Sequence, residues 1–442
     1  MRFPSEYPTF YNVIQSEAKD LGNIRQKTSS YRNFSTEVHC NYLMLSGSEL
    51  PEEDFAKNKI FYIFAALKVK QEIEPMKKRM MKVLRYINLF ILVLAFGSCK
   101  EQKSVPDGCI RFDLSESLSD TLNVQDRIYP LELIALETTE ESLLGSVDKL
   151  IEAYGRYYVL DHMRKCVLVF DSTGKFLHSV GRVGQGPGEY SDLSDFIVDE
   201  KTGFLYLLTN TSTIYAYDDG GGFLWKRKIS NSLLWNIGSC EDGYVCSTNH
   251  LTYTSGEDAF LLYRFDKGFQ EKDRSVGVYE KQIYSPLFIS APFQKWNGGS
   301  FYIDTFSNIV YSLSGEKVLP FGQFVFSSPM PIEYFADSNL VLENQFRYDF
   351  VMESFFSEKF LWVSYIHNGE HHTTLFDVMG DKVVASGKTV GVMPKVYQSG
   401  ESLLSPLSAD LYLDCWTHLD KMLKQPVSIE DNHLILRWKI KE

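Results

Sequence analysis

Short apolar runs recur along the last two thirds of the chain, and polar or glycine-containing turns separate them. The clearest unit joins Tyr157–Asp161 to Cys166–Asp171 across a polar loop, and Gly174 follows the second run. Runs of this length, rich in Val, Leu, Tyr and Phe and bounded by Asp or Gly, are typical of β-strands. The pattern therefore predicts strand pairs joined by tight turns.

The unit repeats along the chain. Further copies occupy Phe204–Asp218, Tyr244–Asp266, Phe301–Leu313 and Leu361–Asp377, and a last strand lies at His433–Trp438. Strand units at a period of roughly 45 to 60 residues are typical of four-stranded propeller blades. Because each blade is covered on both faces, its strands lack a clear apolar–polar alternation. We predict an all-β fold, a six-bladed β-propeller over residues 109–442.

Two further elements complete this prediction. A propeller of six blades needs one more outer strand in the sixth blade, and Cys109–Asp113, which precedes the first copy, could supply it and close the ring. The stretch Asp410–Gln425 has a helical pattern and is expected to be an insertion in the sixth blade.

Residues 76–98 have the layout of a secretory signal. Five cations and no acid precede an apolar run, Tyr86–Phe96, that is interrupted only by Asn88. The run is too short to span a bilayer. It ends in Phe96-Gly97-Ser98-Cys99, so we predict a lipoprotein signal peptide with Cys99 as the lipidated residue and residues 99–108 as the anchor linker. The alternatives are a signal anchor or a buried helix.

Residues 1–75 precede this signal and show no sustained periodicity. Signal peptides are N-terminal, so we interpret this stretch as a mis-annotated upstream extension and expect translation to start at Met76, Met80 or Met81. The alternative is a short cytoplasmic domain.

Charge narrows the choice of partners. The 442-residue chain has a net charge of -12, and residues 99–442 alone hold 31 Lys and Arg against 47 Asp and Glu, a net charge of -16. A nucleic-acid binder gathers cations on one face, so we expect no nucleic-acid partner. Anionic lipid surfaces are disfavoured for the same reason, which leaves the lipid anchor as the attachment to the membrane.

Five cysteines remain in the body once Cys40 and Cys99 are set aside, and an odd, scattered set is no disulfide framework. Cys240 and Cys246 flank a turn, so one bridge between them is conceivable, but buried free thiols are the simpler interpretation.

The lipobox, the strand unit with Val169-Phe170-Asp171 and Gly174, and the loop Gly184–Tyr190 together carry a resemblance. The chain resembles the exported six-bladed β-propeller lipoproteins related to the NHL and TolB-like propellers, over about residues 99 to 442. The resemblance implies the fold and an extracytoplasmic address, but it carries no catalytic residues.

In a propeller, the turns between second and third strands and the connections between blades emerge on one face around the channel. Binding groups usually lie on such loops, so this face is the candidate site. Its candidate residues are Asp161, His162, Arg164, Arg182, Gln185, Glu189, Tyr190, Asn210, Asp304, Asn308, His367, His371 and His372.

The loop Gly181–Tyr190 has two interpretations. Its glycines could present backbone N–H groups to an anion, with Arg182 and Glu189 facing a ligand, although it is neither a P-loop nor a dinucleotide fingerprint. The simpler interpretation is a tight crossover between blades.

Two groups of residues could form metal sites, and each also has a simpler structural interpretation. The densest potential metal cluster is His371 and His372 with Glu370, His367 and Asp377. The two adjacent histidines point to opposite faces of a strand and bind one ion only if the chain bends, so a solvated loop is the default. Oxygen atoms of Asp161, Asn210, Asp304 and Asn308 could together hold calcium, but an Asp that ends a strand is commonly turn chemistry.

Two function classes follow. The first is a non-catalytic binding or scaffold protein of the cell envelope, at the outer membrane, for a glycan, peptide or partner protein, with Tyr190, Tyr253 or Tyr365 stacking on the ligand. The second is a calcium-assisted hydrolase or lyase that uses the same face. No Gly-x-Ser-x-Gly nucleophile elbow occurs in the sequence.

Overall fold

The computed structural model describes residues 108–115, 117–250, 260–278 and 291–441. Within these ranges the predicted runs form antiparallel sheets of four strands in simple up-and-down order. Six such sheets are arranged in a ring, because each innermost strand contacts the innermost strands of the next and the preceding sheet. The all-β, six-bladed propeller is therefore confirmed.

The strands are numbered in chain order, and blades are numbered from the first complete blade of the chain. Before blade 1 come β1 Ile110–Asp113, β2 Thr121–Asn123 and β3 Ile128–Ala135. Blade 1 contains β4 Lys149–Ala153, β5 Arg156–Asp161, β6 Cys166–Asp171 and β7 Phe176–Val180. Two short strands, β8 Arg182–Val183 and β9 Glu189–Tyr190, follow, and blade 2 contains β10 Asp195–Val198, β11 Leu205–Leu208, β12 Thr213–Tyr217 and β13 Phe223–Lys228.

Blade 3 contains β14 Asn236–Cys240, β15 Gly243–Ser247, β16 Phe260–Asp266 and β17 Glu271–Gly277. Blade 4 contains β18 Phe293–Trp296, β19 Gly299–Asp304, β20 Ile309–Ser312 and β21 Leu319–Val325. Blade 5 contains β22 Phe350–Ser357, β23 Phe360–His367, β24 Glu370–Asp377 and β25 Lys382–Val390. Blade 6 contains β26 Tyr397–Ser399, β27 Ser402–Leu407 and β28 Leu434–Ile440, with β3 as its fourth strand.

The core lies between the blades rather than at the centre of the ring. One hydrophobic cluster joins Tyr158 and Val169 of blade 1 to Phe196 and Leu207 of blade 2, and equivalent clusters occupy the other interfaces. The middle strands β5, β6, β11 and β15 are buried along almost their whole length. This two-sided burial explains why the sequence shows apolar runs instead of alternation.

The ring is closed by a different strand from the one we predicted. β3, not Cys109–Asp113, is the outer strand of blade 6, and it pairs antiparallel with β28 from Ile128 to Ala135. The segment within Cys109–Asp113 forms β1, which adds in parallel to the outer strand of blade 4. β2 adds in the same way to blade 5. The segment before blade 1 therefore runs along the outer edges of three successive blades, and the sequence pattern alone did not distinguish the closing strand from the two added ones.

The turn between the third and fourth strand of a blade, here called the rim turn, packs on the preceding blade. In blade 1, Gly174 has a φ of +88°, and its carbonyl accepts a hydrogen bond from the Glu137 N–H, just beyond β3, at 2.8 Å. A Cβ on Gly174 would lie 2.2 Å from the Ala135 carbonyl oxygen. In blade 4, the Gly315 carbonyl accepts a hydrogen bond from Arg264 of blade 3 at 2.9 Å. The recurring glycine turns are therefore contacts between blades.

Two insertions lie at the opposite end of the blades. Between blades 4 and 5 are a 3-10 turn, Ile332–Ala336, and helix α1, Ser338–Asn344, whose apolar side chains form a separate small cluster with Phe306 and Ile366. Between β27 and β28 are helix α2, Ala409–Cys415, and a 3-10 helix, Thr417–Met422. The predicted helical insertion in blade 6 is therefore confirmed. A shorter 3-10 turn, Gln125–Arg127, precedes β3.

Candidate functional site

The mouth face is defined here as the end of the ring where second strands end and innermost strands begin. Asp161, Asp304 and His367 are the last residues of second strands, and Asn210 lies in the turn between β11 and β12. The connections between blades and both insertions emerge at the same end. Every candidate residue that the structure describes therefore lies in a turn or connection of this face or beside one.

The centre of the mouth face holds a group of polar side chains, several of them ionisable, that we call the mouth cluster. It consists of Asp148, Lys149, His162, Asp195, Glu353, Lys395 and Tyr397. Its best-defined contact joins two blades: the Lys149 Nζ lies 2.8 and 3.0 Å from the two carboxylate oxygens of Asp195. The same ammonium group donates to the carbonyls of Phe196 and Ile237, at 2.8 and 3.2 Å.

Asp195 is almost fully buried and also accepts the Ile237 N–H at 2.8 Å. Innermost strands present an unpaired backbone edge to the channel, and unpaired buried backbone groups are costly. The Lys149–Asp195 pair satisfies such groups on blades 2 and 3. The pair therefore links blades 1, 2 and 3 at the channel.

A second pair lies beside the first. The Asp148 carboxylate accepts the backbone N–H of His162 at 2.9 Å and lies 3.5 Å from the His162 Nδ1. The His162 Nε2 donates to the Ser194 carbonyl at 2.9 Å. Burial opposes protonation of His162, but the hydrogen bond and the charge of Asp148 outweigh it and raise the pKa of the imidazole. The side chain remains about two-fifths exposed, so a ligand could reach it.

Glu353 is the acid of the mouth cluster whose pKa is raised. Burial raises its pKa to about 7, although the Val396 N–H and the charge of Lys395 act in the opposite direction. Tyr397 is buried, and its hydroxyl donates to the Asp148 carbonyl at 2.8 Å. Burial and the nearby carboxylates, Glu353 first, raise the pKa of Tyr397. Lys395 is exposed and contacts only the Val147 carbonyl, at 3.3 Å, among the residues described.

Below the mouth, glutamine side chains cross between the innermost strands. The Gln294 amide donates to the Ser354 carbonyl at 2.7 Å and accepts the Phe356 N–H at 2.9 Å. Gln398 bonds to both backbone groups of Lys295 and to the Phe356 carbonyl. These bonds join blades 4, 5 and 6 across the inner edge. Glutamine side chains therefore tie the innermost strands of these three blades together.

The glycine loop between β8 and β9 binds its own carboxylate. Glu189 accepts the Gly186 N–H at 2.7 Å and pairs with the Arg182 guanidinium at 2.5 Å. The Gly186 N–H and the Arg182 side chain hold the pKa of Glu189 below its usual range. A Cβ on Gly184 would lie 2.0 Å from this carboxylate, so the glycine is required for the close approach. The position that we considered for an external anion is thus occupied by Glu189, and the crossover interpretation fits the loop better.

Two aromatic predictions are wrong. Tyr190 is only 3% exposed, its hydroxyl donates to the Lys165 carbonyl at 2.9 Å, and its ring packs edge-on against Tyr215. Tyr365 is 1% exposed. Neither can stack on a ligand, because both belong to the interfaces between blades. Gln185, five residues before Tyr190 in the chain, is exposed on the glycine loop. Tyr253 lies outside the described residues.

The aspartates that end second strands are engaged in their own turns. Asp161 accepts the Gly145 N–H at 2.7 Å and the Arg164 N–H at 2.9 Å, and the Arg164 guanidinium donates to the carbonyls of Glu141 and Leu143. Asp304 accepts the Ser307 hydroxyl at 2.6 Å and lies 3.1 Å from the Nε2 of buried His250. Burial would raise the pKa of Asp304, but His250 and Ser307 lower it.

The four residues of the predicted calcium set are not brought together. Asp161 lies on blade 1, Asn210 on blade 2, and Asp304 and Asn308 on blade 4, which is opposite blade 1 in a ring of six. The Asn210 N–H donates to Asp192, and Asn308 has a φ of +61° at the end of its turn. Within the described ranges, no group of three or more His, Cys, Asp or Glu side chains is arranged to hold a metal ion. Turn hydrogen bonds hold both aspartates, as the simpler interpretation stated, and each also has a partner outside its turn, Gly145 for Asp161 and His250 for Asp304.

His371 and His372 lie in β24, not in a loop as we expected. They pair with Ile366 and Tyr365 in a regular register without a bend, so their side chains point to opposite faces. His367 instead pairs with Asp349, at 2.9 Å, and its other ring nitrogen contacts Asn368. The rings of His367 and His372 are 5.2 Å apart, but His371 points to the opposite face of the strand, so the three histidines are not arranged around a common point.

Five cysteines within the described residues are free: Cys109, Cys166, Cys240, Cys246 and Cys415. Cys246 is opposite Ile237 in the sheet and Cys240 is opposite Gly243, so the two do not face each other. Cys99 and the signal segment lie outside the described residues. Among the helices of the described part, none is long and apolar enough to cross a membrane.

Sequence reasoning missed six members of the mouth cluster, all except His162. They lie at or near the starts of innermost strands, which are short and do not belong to the repeat. A signal was present in Asp148-Lys149, because a charged pair directly precedes the strand before the first repeat. Asp195 stands in the same position before Phe196-Ile197-Val198.

The fold and the site define a six-bladed propeller with a polar channel mouth. Residues 109–436, well over half of the chain, match DUF4934, a domain of unknown function, and the chain belongs to this family. No curated protein matches the sequence.

Among solved structures, the chain is similar to a Bacteroides fragilis NCTC 9343 protein described as exported, with 20% identity and a TM-score of 0.59 over 76% of this chain and 100% of that one. A member of the DUF4221 family from Bacteroides vulgatus ATCC 8482 is 8% identical, with a TM-score of 0.46 over 71% of this chain and 98% of that one. The first similarity supports the propeller fold.

Proposed function

We propose that the protein is a lipid-anchored, non-catalytic binding protein outside the cytoplasm, and that its ligand contacts the mouth cluster. The ligand is a glycan, a peptide or a partner protein of the cell envelope. The narrower kinship with NHL and TolB-like propellers, and a place in the outer membrane, are parts of the same proposal.

The observation that carries this proposal is the arrangement of the mouth cluster. Charged side chains of several blades converge there, and His162 and Lys395 remain accessible. Its best-ordered charges are already paired, Lys149 with Asp195 and Asp148 with His162. Fixed, paired charges suit the orientation of a polar ligand, whereas a nucleophile needs a free base within hydrogen-bonding reach. The calcium-assisted alternative is not favoured, because its ligands lie on opposite blades.

The ligand is sought by screening the purified full chain on glycan and peptide arrays. We expect Lys395→Ala to weaken any specific signal at least tenfold, because Lys395 is the exposed cation of the mouth cluster. Lys317→Ala, which removes an exposed lysine near the rim turn of blade 4, serves as the matched control and should change the signal less than twofold. Equal signals from wild type and Lys395→Ala would place the ligand elsewhere and overturn the assignment of the site.

The anchor is supported by the lipobox at Cys99 and by the exported relative of the same fold. In cells that process bacterial lipoproteins, we expect the full chain in the membrane fraction and Cys99→Ala in the soluble extracytoplasmic fraction. Cys109→Ala keeps Cys99 and should stay with the membrane. A membrane-bound Cys99→Ala protein would contradict lipid anchoring without affecting the assignment of the mouth.

A further inference from the structure

A groove runs along the outer strand of blade 6, between this strand and the blade 6 insertion. Its volume is about 610 Å³, within the range of ligand sites. Seven consecutive residues, from Glu132 to Thr138, line one wall, and Met422 to Val427 line the other. Because side chains of a strand alternate between its faces, a wall of consecutive residues means that the groove follows the edge of β3.

This edge is open among the residues described. β3 pairs with β28 on one side and with no described strand on the other. The preceding blades show what such an edge can accept: β1 covers the outer edge of blade 4 with four residue pairs, and β2 covers that of blade 5 with three. Both additions are parallel. Strand addition to an outer edge is therefore a mode of binding that this fold already uses twice.

The chemistry of the groove indicates the side chains of its occupant. Met422, Leu423 and Val427, all partly buried, give it an apolar lining, and three carboxylates, Glu132, Glu137 and Asp431, line it together with one cation, Lys424. Glu137 accepts the Phe176 N–H at 2.8 Å and Asp431 the Ser428 N–H at 2.7 Å, and in each case the second oxygen makes no hydrogen bond within the described residues. Glu132 is more than half exposed, with the Arg437 Nε 3.5 Å away. The net charge of the whole chain, -12, also attracts cations.

We propose that this groove binds an extended peptide segment that carries lysine or arginine together with apolar side chains, and that the segment adds as a further strand to the open edge of β3. Backbone hydrogen bonds to β3 supply affinity, the carboxylates select cationic side chains, and the apolar lining receives the alternate ones. The groove shares no lining residue with the mouth cluster, so the proposal does not depend on the function proposed for the mouth.

The test uses the purified full chain and fluorescence anisotropy with three labelled peptides of eight residues. The first alternates lysine and valine, the second alternates glutamate and valine, and the third is the lysine–valine peptide with alternate backbone nitrogens methylated. We expect the first to bind at least tenfold more tightly than either of the others. Equal affinity for the lysine and glutamate peptides would overturn the charge selection, and equal affinity for the methylated peptide would overturn strand addition.

Variants locate the binding. The triple variant Glu132→Gln, Glu137→Gln and Asp431→Asn keeps the side-chain shapes and should weaken the lysine–valine peptide at least tenfold, whereas Lys424→Glu should strengthen it severalfold. The control neutralises three exposed acids on blades 3, 4 and 5, through Glu241→Gln, Glu316→Gln and Asp381→Asn. A loss as large in the control would mean that net charge alone is responsible. A concentration-dependent dimer that excludes the peptide would assign the edge to a second copy and overturn the proposal.

Discussion

Acidic side chains at the rim turns and at the mouth face encounter opposite surroundings. Asp218 accepts the N–H groups of Gly220 and Gly222, two and four residues further on, and stays within its own turn. Asp195 instead contacts Lys149, 46 residues earlier, and Ile237, 42 residues later. Asp218 is therefore a local turn former at the rim, whereas Asp195 connects blades at the mouth.

Two acids, Asp171 at the rim and Glu353 at the mouth, have pKa shifts of opposite sign. At the rim, the Thr173 hydroxyl and backbone N–H groups lower the pKa of Asp171. At the mouth, burial raises the pKa of Glu353 to about 7. Local donors stabilise the charge in the first case, and their scarcity penalises it in the second. Of these two acids, the one whose negative charge is disfavoured by its surroundings lies at the mouth.

The largest expected effect comes from removing one partner of a buried pair. Asp195→Ala leaves the Lys149 ammonium uncompensated and should lower the free energy of unfolding by about 3–5 kcal/mol. Asp218→Ala removes only turn hydrogen bonds near solvent and should cost about 0.5–1.5 kcal/mol. Urea unfolding of the full-chain variants measures both. Similar losses at the two positions would break the distinction between mouth and rim.

A smaller effect depends on pH. The pKa of Glu353 is about 7 in the folded chain, above its unfolded value, so the contribution of the neutral carboxyl is fully present below the unfolded pKa and is lost as the pH rises through 7. Glutamine cannot ionise, so Glu353→Gln should stabilise the protein by about 1–2 kcal/mol at pH 8 and by little at pH 4.

Asp171→Asn is the control of opposite sign for this pH experiment. Its folded pKa is lowered, so the stability that it contributes is present above the unfolded pKa of an aspartate and is lost as the pH falls. The asparagine variant should therefore lose stability at pH 8. Urea midpoints of wild type and both variants at pH 4 and pH 8 measure the signs, and a Glu353→Gln protein that is less stable at pH 8 would contradict the prediction.

The repeat was readable because middle strands are buried on both faces. Runs such as Val167–Phe170 and Leu205–Leu208 are apolar throughout, and the Asp and Gly residues that follow them mark turns. These two features were enough for the blade number and for the mouth face. They say nothing of innermost strands, since β26 has only three residues and β10 begins with a charged one.

The site was less predictable than the fold, because its contacts are non-local. Asp161 and Asp304 are conspicuous in the sequence, but their carboxylates are used within their turns and by His250. Tyr190 looks like a loop aromatic, but it is part of the core between blades 1 and 2. Lys149, Asp195 and Glu353 come from three blades, and no spacing in the sequence relates them.

Blade 6 also sets the order in which the molecule can be completed. Ile134 pairs with Ile435, so the two halves of this sheet are about 300 residues apart in the chain. During synthesis, which proceeds from the N-terminus, β3 is exposed long before β28 has been made. Contacts between residues so far apart in the chain form slowly. Until blades 4, 5 and 6 have formed, the strands β1, β2 and β3 have no partner. Both ends of the open ring are then accessible to proteases and to other chains. Closure is thus the step that distinguishes a finished molecule from an interrupted one.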